Sequence, residues 1–360
     1  MKSLSETKAY LEKHKKRISP ALFLSGFIFD LFTLNQVDQF FDNMILLGHL
    51  TIITVSIWLI HLGKRDQVFS NIVEKMIIFA PFTLVFSFGG VLSGYVIFYT
   101  KSASLFANWP FLFILYLLFI SSEFIFNRYQ QTLFQVGMWF AATLSFTIFF
   151  VPVIIKSVGP WVFLLSNLVS IVIGWLFIHI LIKAYNPTRD YLAIVKAMFV
   201  FISLGFIGLY FLNVIPPIPL SMKESGMYHL IERTEGNTLV GYKQDVSWFR
   251  DLSPREEVSI TPGSRIYGYT SIYAPSDIRI ALEHVWEKKV ASGSWQEFTR
   301  SSFVLDGGRQ NGFRWYSFIS PTEGSWRIRT LTMHGQEVGQ TQFEVNHVLN
   351  TPTLEKQELE

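Results

Sequence analysis

The chain changes character at residues 213–233, "NVIPPIPLSMKESGMYHLIER". Before this stretch, apolar residues run in long unbroken blocks. After it, they alternate with polar ones. A membrane-spanning helix needs roughly 20 mainly apolar residues. The first part offers seven such blocks, at 19–36, 43–62, 76–99, 108–126, 133–155, 161–182 and 193–214. The first is the weakest, because Asp30 interrupts it. From residue 227 onward the period is two, the signature of strands. In "DIRIALEHVWEKK", Ile278, Ile280, Leu282, His284 and Trp286 share one face, and Arg279, Glu283 and Glu287 share the other. In "GSWRIRTLTM", Trp326 and Ile328 oppose Arg327 and Arg329. Turn signals separate these runs: "TPGS", "APSD", "ASGS", "DGGRQNG", "PTEG" and "MHGQ". The pattern predicts a membrane all-α bundle of about seven transmembrane helices. An all-β antiparallel sandwich of roughly seven strands, immunoglobulin-like or jelly-roll, follows it.

The expected organisation is a basic cytoplasmic segment at 1–18, a bundle at 19–214, a proline-containing linker at 215–225, a β domain at 226–348 and an acidic tail at 349–360. Pro216, Pro217 and Pro219 fall at the change of pattern. Proline cannot continue a helix ladder and holds φ near −65°. "IPPIP" should therefore stop the last helix, leave as a short polyproline II rod, or do both.

Charge gives an orientation. Residues 1–212 hold 15 Lys/Arg against 9 Asp/Glu, and residues 213–360 hold 15 against 18. The overall +3 therefore marks basic residues around membrane spans rather than a nucleic-acid surface. The N-terminal segment and the loops after the even-numbered spans hold twelve basic residues. The loops after spans one, three and five hold only Lys101 and Lys156. The side richer in Lys/Arg is cytoplasmic. Seven crossings then place the β domain outside, the first span acting as an uncleaved anchor. Cysteine is absent, so disulfides and thiolate chemistry are excluded.

Ionisable groups inside hydrocarbon are costly and mark function or pairing. Asp30 and His49 fall at similar depth on helices joined by the short "QVDQFFDN". They form a candidate pair for proton relay, or for ion coordination with Asp38 or Asp42. A purely structural pair is the alternative. Gly90 and Gly94 in "GVLSG" form a small-xxx-small face, a candidate contact for a homo-oligomer. In the β domain, His284, Trp295, Arg309, Arg314, Trp315, Trp326 and Arg327 lie close in sequence. Aromatics beside arginines can bind a glycan or an anionic polymer by stacking and forked hydrogen bonds. Alternatively, the tryptophans fill the core and the arginines solvate its outer face. Trp286 and Trp326 are expected to be buried, and Arg309 and Arg314 exposed. No nucleophile elbow, phosphate loop or paired-His motif is present, and no cofactor or metal is expected. "DGGRQNG", with Gly307 and Gly308, reads as a hairpin turn.

"FIFDLFTLNQVD", "NVIPPIPLSMKESGMYH", "HVW", "GGRQNGFRWYS", "GSWRIR" and "GQTQF" together resemble a bacterial membrane family known as domain of unknown function 2914. The resemblance spans nearly the whole chain. It implies a bacterial plasma-membrane protein with a C-terminal β-rich domain, and no catalytic residue, substrate or cofactor. Two functional classes follow. In the first, the protein presents a binding or scaffold module to an envelope protein or glycan. In the second, a transporter or membrane enzyme works around Asp30 and His49, with the β domain as accessory.

Overall fold

The computed structural model describes residues 40–65, 70–102, 108–116, 132–185, 187–234, 239–244, 256–309, 311–350 and 352–359, together with Ser25, Ile28, Phe29 and Phe32. The chain divides into two compact units, the first drawn from residues up to Val214 and the second from Ile215 onward together with the short stretches 101–109 and 156–159.

The first unit is helical. Its long helices are α1 (Phe40–Leu62), α2 (Asn71–Ser102), α3 (Thr132–Ile155), α4 (Pro160–Tyr185) and α5 (Arg189–Phe211). All five are long and apolar enough to cross a membrane. A sixth helical stretch is described over 108–116. Of the seven expected spans, five are therefore seen. The remainder of the fourth, and most of the first with Asp30, lie outside the described residues, as does Asp38.

These helices are apolar all round, as expected for segments facing protein on one side and lipid on the other. On α4, Trp161, Leu168, Val172 and Trp175 are exposed, while Phe177, Ile178 and Leu181 are buried. Small and hydroxylated residues bring the helices together, as is usual where no hydrophobic gradient drives helix association. The rings of Phe140 and Phe199 stack 4.0 Å apart. A Cβ on Gly174 would lie 2.8 Å from Phe199. Trp139 Nε1 donates to Thr54 Oγ1 at 2.8 Å, and Ser56 and Thr83 share a 2.8 Å hydrogen bond.

Helix α5 starts at Thr188, whose hydroxyl accepts from the Tyr191 N–H. It ends before the prolines. Asn213 takes φ +56°, its N–H donates to Tyr210 O, and the Val214 N–H donates to Leu209 O. This is a Schellman motif with Asn in the left-handed position. The prolines do not form an exposed rod either. Ile218 N–H donates to Pro216 O and Leu220 N–H to Pro217 O, and Pro216, Pro217 and Pro219 are buried in a tight turn. The first strand then begins at Ser221, inside the expected linker.

Among the described residues the second unit has eleven strands: β1 (Ser221–Tyr228), β2 (Leu230–Arg233), β3 (Leu239–Gln244), β4 (Glu256–Ile260), β5 (Ile266–Tyr273), β6 (Arg279–Lys289), β7 (Trp295–Asp306), β8 (Phe313–Ile319), β9 (Gly324–Thr332), β10 (Glu337–His347) and β11 (Leu354–Leu359). They form three sheets, ordered β1-β5-β8, β4-β10-β9-β6-β7 and β11-β3-β2. Pairing is antiparallel except that β4 runs parallel to β10, which corrects the all-antiparallel expectation. "MHGQ" does close a hairpin, since β9 pairs antiparallel with β10 and the Thr332 N–H donates to Gln336 O.

One core lies between the first two sheets. Met227, Ile266 and Ile319 of the three-stranded sheet meet Val258, Trp286, Trp326, Ile328 and Phe343 of the five-stranded one. A second cluster, with Ile272, Leu282, Phe303 and Leu305, extends it. The other side of the three-stranded sheet is covered as well. There Tyr228 and Tyr269 pack with Ile231, Leu239 and Leu359 of the third sheet. The expected acidic tail is thus a strand. Residues 354–359 pair antiparallel with β3, and Leu359 is fully buried.

Candidate functional site

The long strand β6 carries most of the predicted chemistry. Its inward face places Leu282, His284 and Trp286 in the core, all with no exposure. His284 is therefore not a surface ligand. Its Nε2 lies 2.8 Å from Thr270 Oγ1 and its Nδ1 lies 2.9 Å from Ser317 Oγ, which also accepts from Trp286 Nε1 at 2.9 Å. The set is satisfied when Ser317 donates to Nδ1 and a neutral ring donates from Nε2 to Thr270. Burial favours the neutral form and lowers the His284 pKa to about 3. Trp286 and Trp326 are buried as expected.

The outward face of β6 is also covered, and by charge. Glu283 and Glu287 are nearly buried, although the sequence pattern puts them on a solvated face. Glu283 accepts from Arg300 on β7, and Arg300 also holds Glu297 at 2.8 Å. Glu287 accepts from Arg327 on β9 and lies 3.5 Å from Arg329. Arg329 in turn donates to Glu337 on β10 at 2.8 Å. Hydrogen bonding from Arg300 lowers the Glu297 pKa, and Glu297 raises that of Arg300. The guanidinium of Arg327 lies 4.5 Å from the Trp295 ring centroid. Arg327 and Trp295 are thus neighbours, as a stacking site requires, but this arginine is committed to Glu287.

Arg309, Arg314 and Trp315 make other contacts. Arg309 is exposed, as expected, and sits 5.2 Å over Phe313. Arg314 is half-buried rather than exposed, because the third sheet covers its strand. Its Nη1 donates to Leu359 O at 3.1 Å. Trp315 stacks on Phe303, with centroids 4.9 Å apart. "DGGRQNG" is not a hairpin, since β7 and β8 belong to different sheets. The Gly307 and Gly308 N–H groups donate to Ile278 O and Ala274 O, so neither is free for a phosphate. A Cβ on Gly307 would collide with the Pro275 carbonyl oxygen, which explains why a glycine stands there.

In the helical unit, His49 is buried and faces α2. A Cβ on Gly90 would lie 2.6 Å from its Nε2, and its ring centroid is 5.7 Å from that of Phe86. Gly90 and Gly94 are buried, and Gly90 packs against this chain's own histidine. Asp42 is buried in the first turn of α1. Among the described residues, no three His, Cys, Asp or Glu side chains come together as a metal site would need.

The sequence reading missed one cavity of about 340 Å³, walled by His229, Leu230, Thr261, Ser264, Arg265 and Tyr267. Its only sequence signal is "TPGSR", which reads as a turn.

No family model matches the chain, and no curated protein matches it. Some solved structures align weakly. An immunoglobulin-like protein from Pseudomonas aeruginosa aligns at 12% identity and TM-score 0.19, covering 34% of this chain and 97% of that one. A β-glucosidase from Listeria innocua aligns at 16% identity and TM-score 0.19 over 31% of this chain. The chain spans 17% of that enzyme's length. An alkylpurine DNA glycosylase from Pseudomonas fluorescens aligns at 11% identity and TM-score 0.23, covering 87% of this chain and 99% of that one. Scores this low do not establish a shared fold with any of them.

Proposed function

We propose that this chain is a multi-pass protein of a bacterial plasma membrane, and that its β unit is a binding or scaffold module held outside the cytoplasm for an envelope protein or glycan. The supporting observation is the pairing of two units with opposite solvent preferences. Five long apolar helices leave large side chains such as Phe201 and Trp175 exposed, and lipid accepts such a surface where water does not. The β unit instead covers its sheet face with paired charges and has cores of its own. In this reading the two facing sheets are a sandwich of immunoglobulin-like or jelly-roll type, extended by the third sheet. The motif resemblance to domain of unknown function 2914 points the same way. The excess of basic residues in one set of loops sets the N-terminus in the cytoplasm. The rival reading, transport or catalysis within the bundle, rests on the burial of His49 and Asp42.

The test is a pair of reporters fused after Glu360, beyond β11. One is active only outside the cytoplasm, and the other fluoresces only within it. The first should be active and the second dark. The reverse result means that an odd number of crossings is wrong and removes the envelope-module reading.

A further inference from the structure

The arginines of the β unit are unequal. Arg279, Arg300, Arg327 and Arg329 are paired with carboxylates, and Arg314 is bonded to a main-chain carbonyl. Arg265 has no carboxylate partner among the described residues, and it lines the cavity. Its guanidinium carbon lies 4.7 Å from the Phe318 ring centroid. Stacking on an aromatic face restrains the plane of the group while leaving its edge free to donate a forked pair of hydrogen bonds. Such a fork fits an oxyanion.

The remaining walls narrow the ligand. His229 Nε2 donates to Ser259 O at 2.9 Å, which holds this ring in place as part of the wall. Thr261 and Ser264 add a pair of hydroxyls 2.6 Å apart. Leu230 and Tyr267 supply apolar and aromatic surface. At about 340 Å³ the space is at the small end of the roughly 300–1,000 Å³ typical of ligand sites.

One oxyanion, hydroxyls and an apolar ring face occur together in an acidic sugar. We propose that this cavity binds a carboxylated sugar residue, its carboxylate on Arg265 and its hydroxyls on Thr261 and Ser264. The proposal rests on the binding-module reading and gives it a site, distinct from the Trp295–Arg327 face that the sequence singled out.

The experiment uses the full chain in detergent micelles, with binding followed by ligand-observed NMR. Glucuronate is the probe, and glucose, acetate and inorganic phosphate are the comparisons. Glucuronate should bind saturably. Glucose, which lacks the charge, and acetate, which lacks the ring, should each bind at least ten-fold more weakly. Arg265→Gln should weaken glucuronate binding at least ten-fold, Arg265→Lys should restore part of it, and Arg309→Gln should leave it unchanged. Equal unfolding midpoints for these variants establish that the loss is local; a variant that melts early is replaced by Ser264→Ala, which should also weaken binding. Glucuronate binding that survives both Arg265→Gln and Ser264→Ala overturns the site. Phosphate binding as tightly as glucuronate overturns the sugar assignment. The reporter fusions separate the two ideas. A cytoplasmic β unit removes the module reading whatever glucuronate does. An extracytoplasmic unit that ignores glucuronate removes only this cavity's role.

Discussion

The indole of Trp286 and the missing side chain of Gly268 form a complementary pair across the β unit's main core. A Cβ on Gly268 would lie 2.9 Å from Trp286 Cη2 and 2.6 Å from Ile328 Cδ1. Neither neighbour can retreat easily, since both are buried and the indole N–H is held by Ser317. Overpacking of this kind costs about 1–3 kcal/mol. Gly268→Ala should therefore lower the unfolding midpoint of the β unit in the full chain, followed by tryptophan fluorescence. Ile328→Val removes the nearest colliding atom and should recover part of the loss. A Gly268→Ala protein as stable as the parent would mean that the sheets can move apart at little cost.

His284 makes the core sensitive to acid. Its folded pKa of about 3 lies below the ordinary histidine value near 6.5, so the unfolded chain binds the extra proton first. The contribution is complete above about pH 6.5 and is lost as pH falls toward 3. The slope is at most about 1.4 kcal/mol per pH unit. Unfolding measured between pH 7 and pH 4.5 should show this slope, and His284→Gln should flatten it. An unchanged slope in the variant would place the acid sensitivity elsewhere.

The outer sheet face should behave as one ion network. Glu287 sits between Arg327 and Arg329, all largely shielded. Removing one member of such a group leaves its partner's charge uncompensated, at a cost of several kcal/mol where burial is complete and less here. Glu287→Ala and Arg327→Ala should each destabilise the unit by roughly 1–3 kcal/mol. The double change should cost clearly less than the sum of the singles. Additive losses in a double-mutant cycle would show that the pair is screened.

How much of this was legible in the sequence depends on what each element needs from its side chains. A membrane helix needs an apolar run, so α1 to α5 were readable within a few residues. Asp30 and Asp38 fall outside the described residues, so the Asp30–His49 pairing is neither supported nor opposed. Strands β6 and β9 were readable because their inward residues alternate. The same alternation could not tell a solvated face from an ion-paired one, so Glu283 and Glu287 looked exposed. His284 looked like a ligand because its hydroxyl partners, Thr270 and Ser317, lie on strands distant in sequence. The prolines drew attention from Asn213, which ends the helix through its backbone. The third sheet was not readable at all, because β11 pairs through its main chain and carries mainly polar side chains.

That strand gives the last prediction, because a tail and a strand respond oppositely to change. Were residues 349–360 frayed, Leu359→Ala would do nothing. In the structure Leu359 has no exposure and packs with Tyr228, Tyr269, Ile231 and Leu239. Its carbonyl also accepts the Arg314 hydrogen bond, and β11 forms the outer edge of the third sheet. Truncating a buried leucine costs roughly 2–5 kcal/mol, depending on how far the site collapses. Leu359→Ala should therefore lower the unfolding midpoint distinctly, whereas Glu355→Ala, exposed on the same strand, should stay within about 0.5 kcal/mol. Deleting residues 353–360 should remove the Arg314 acceptor together with the Leu359 contact, and should destabilise more than Leu359→Ala alone. Amide hydrogen exchange gives an independent reading, since the β3 amides that face β11 should exchange faster after the deletion. Unchanged stability and exchange in the truncated chain would return these residues to the status of a tail.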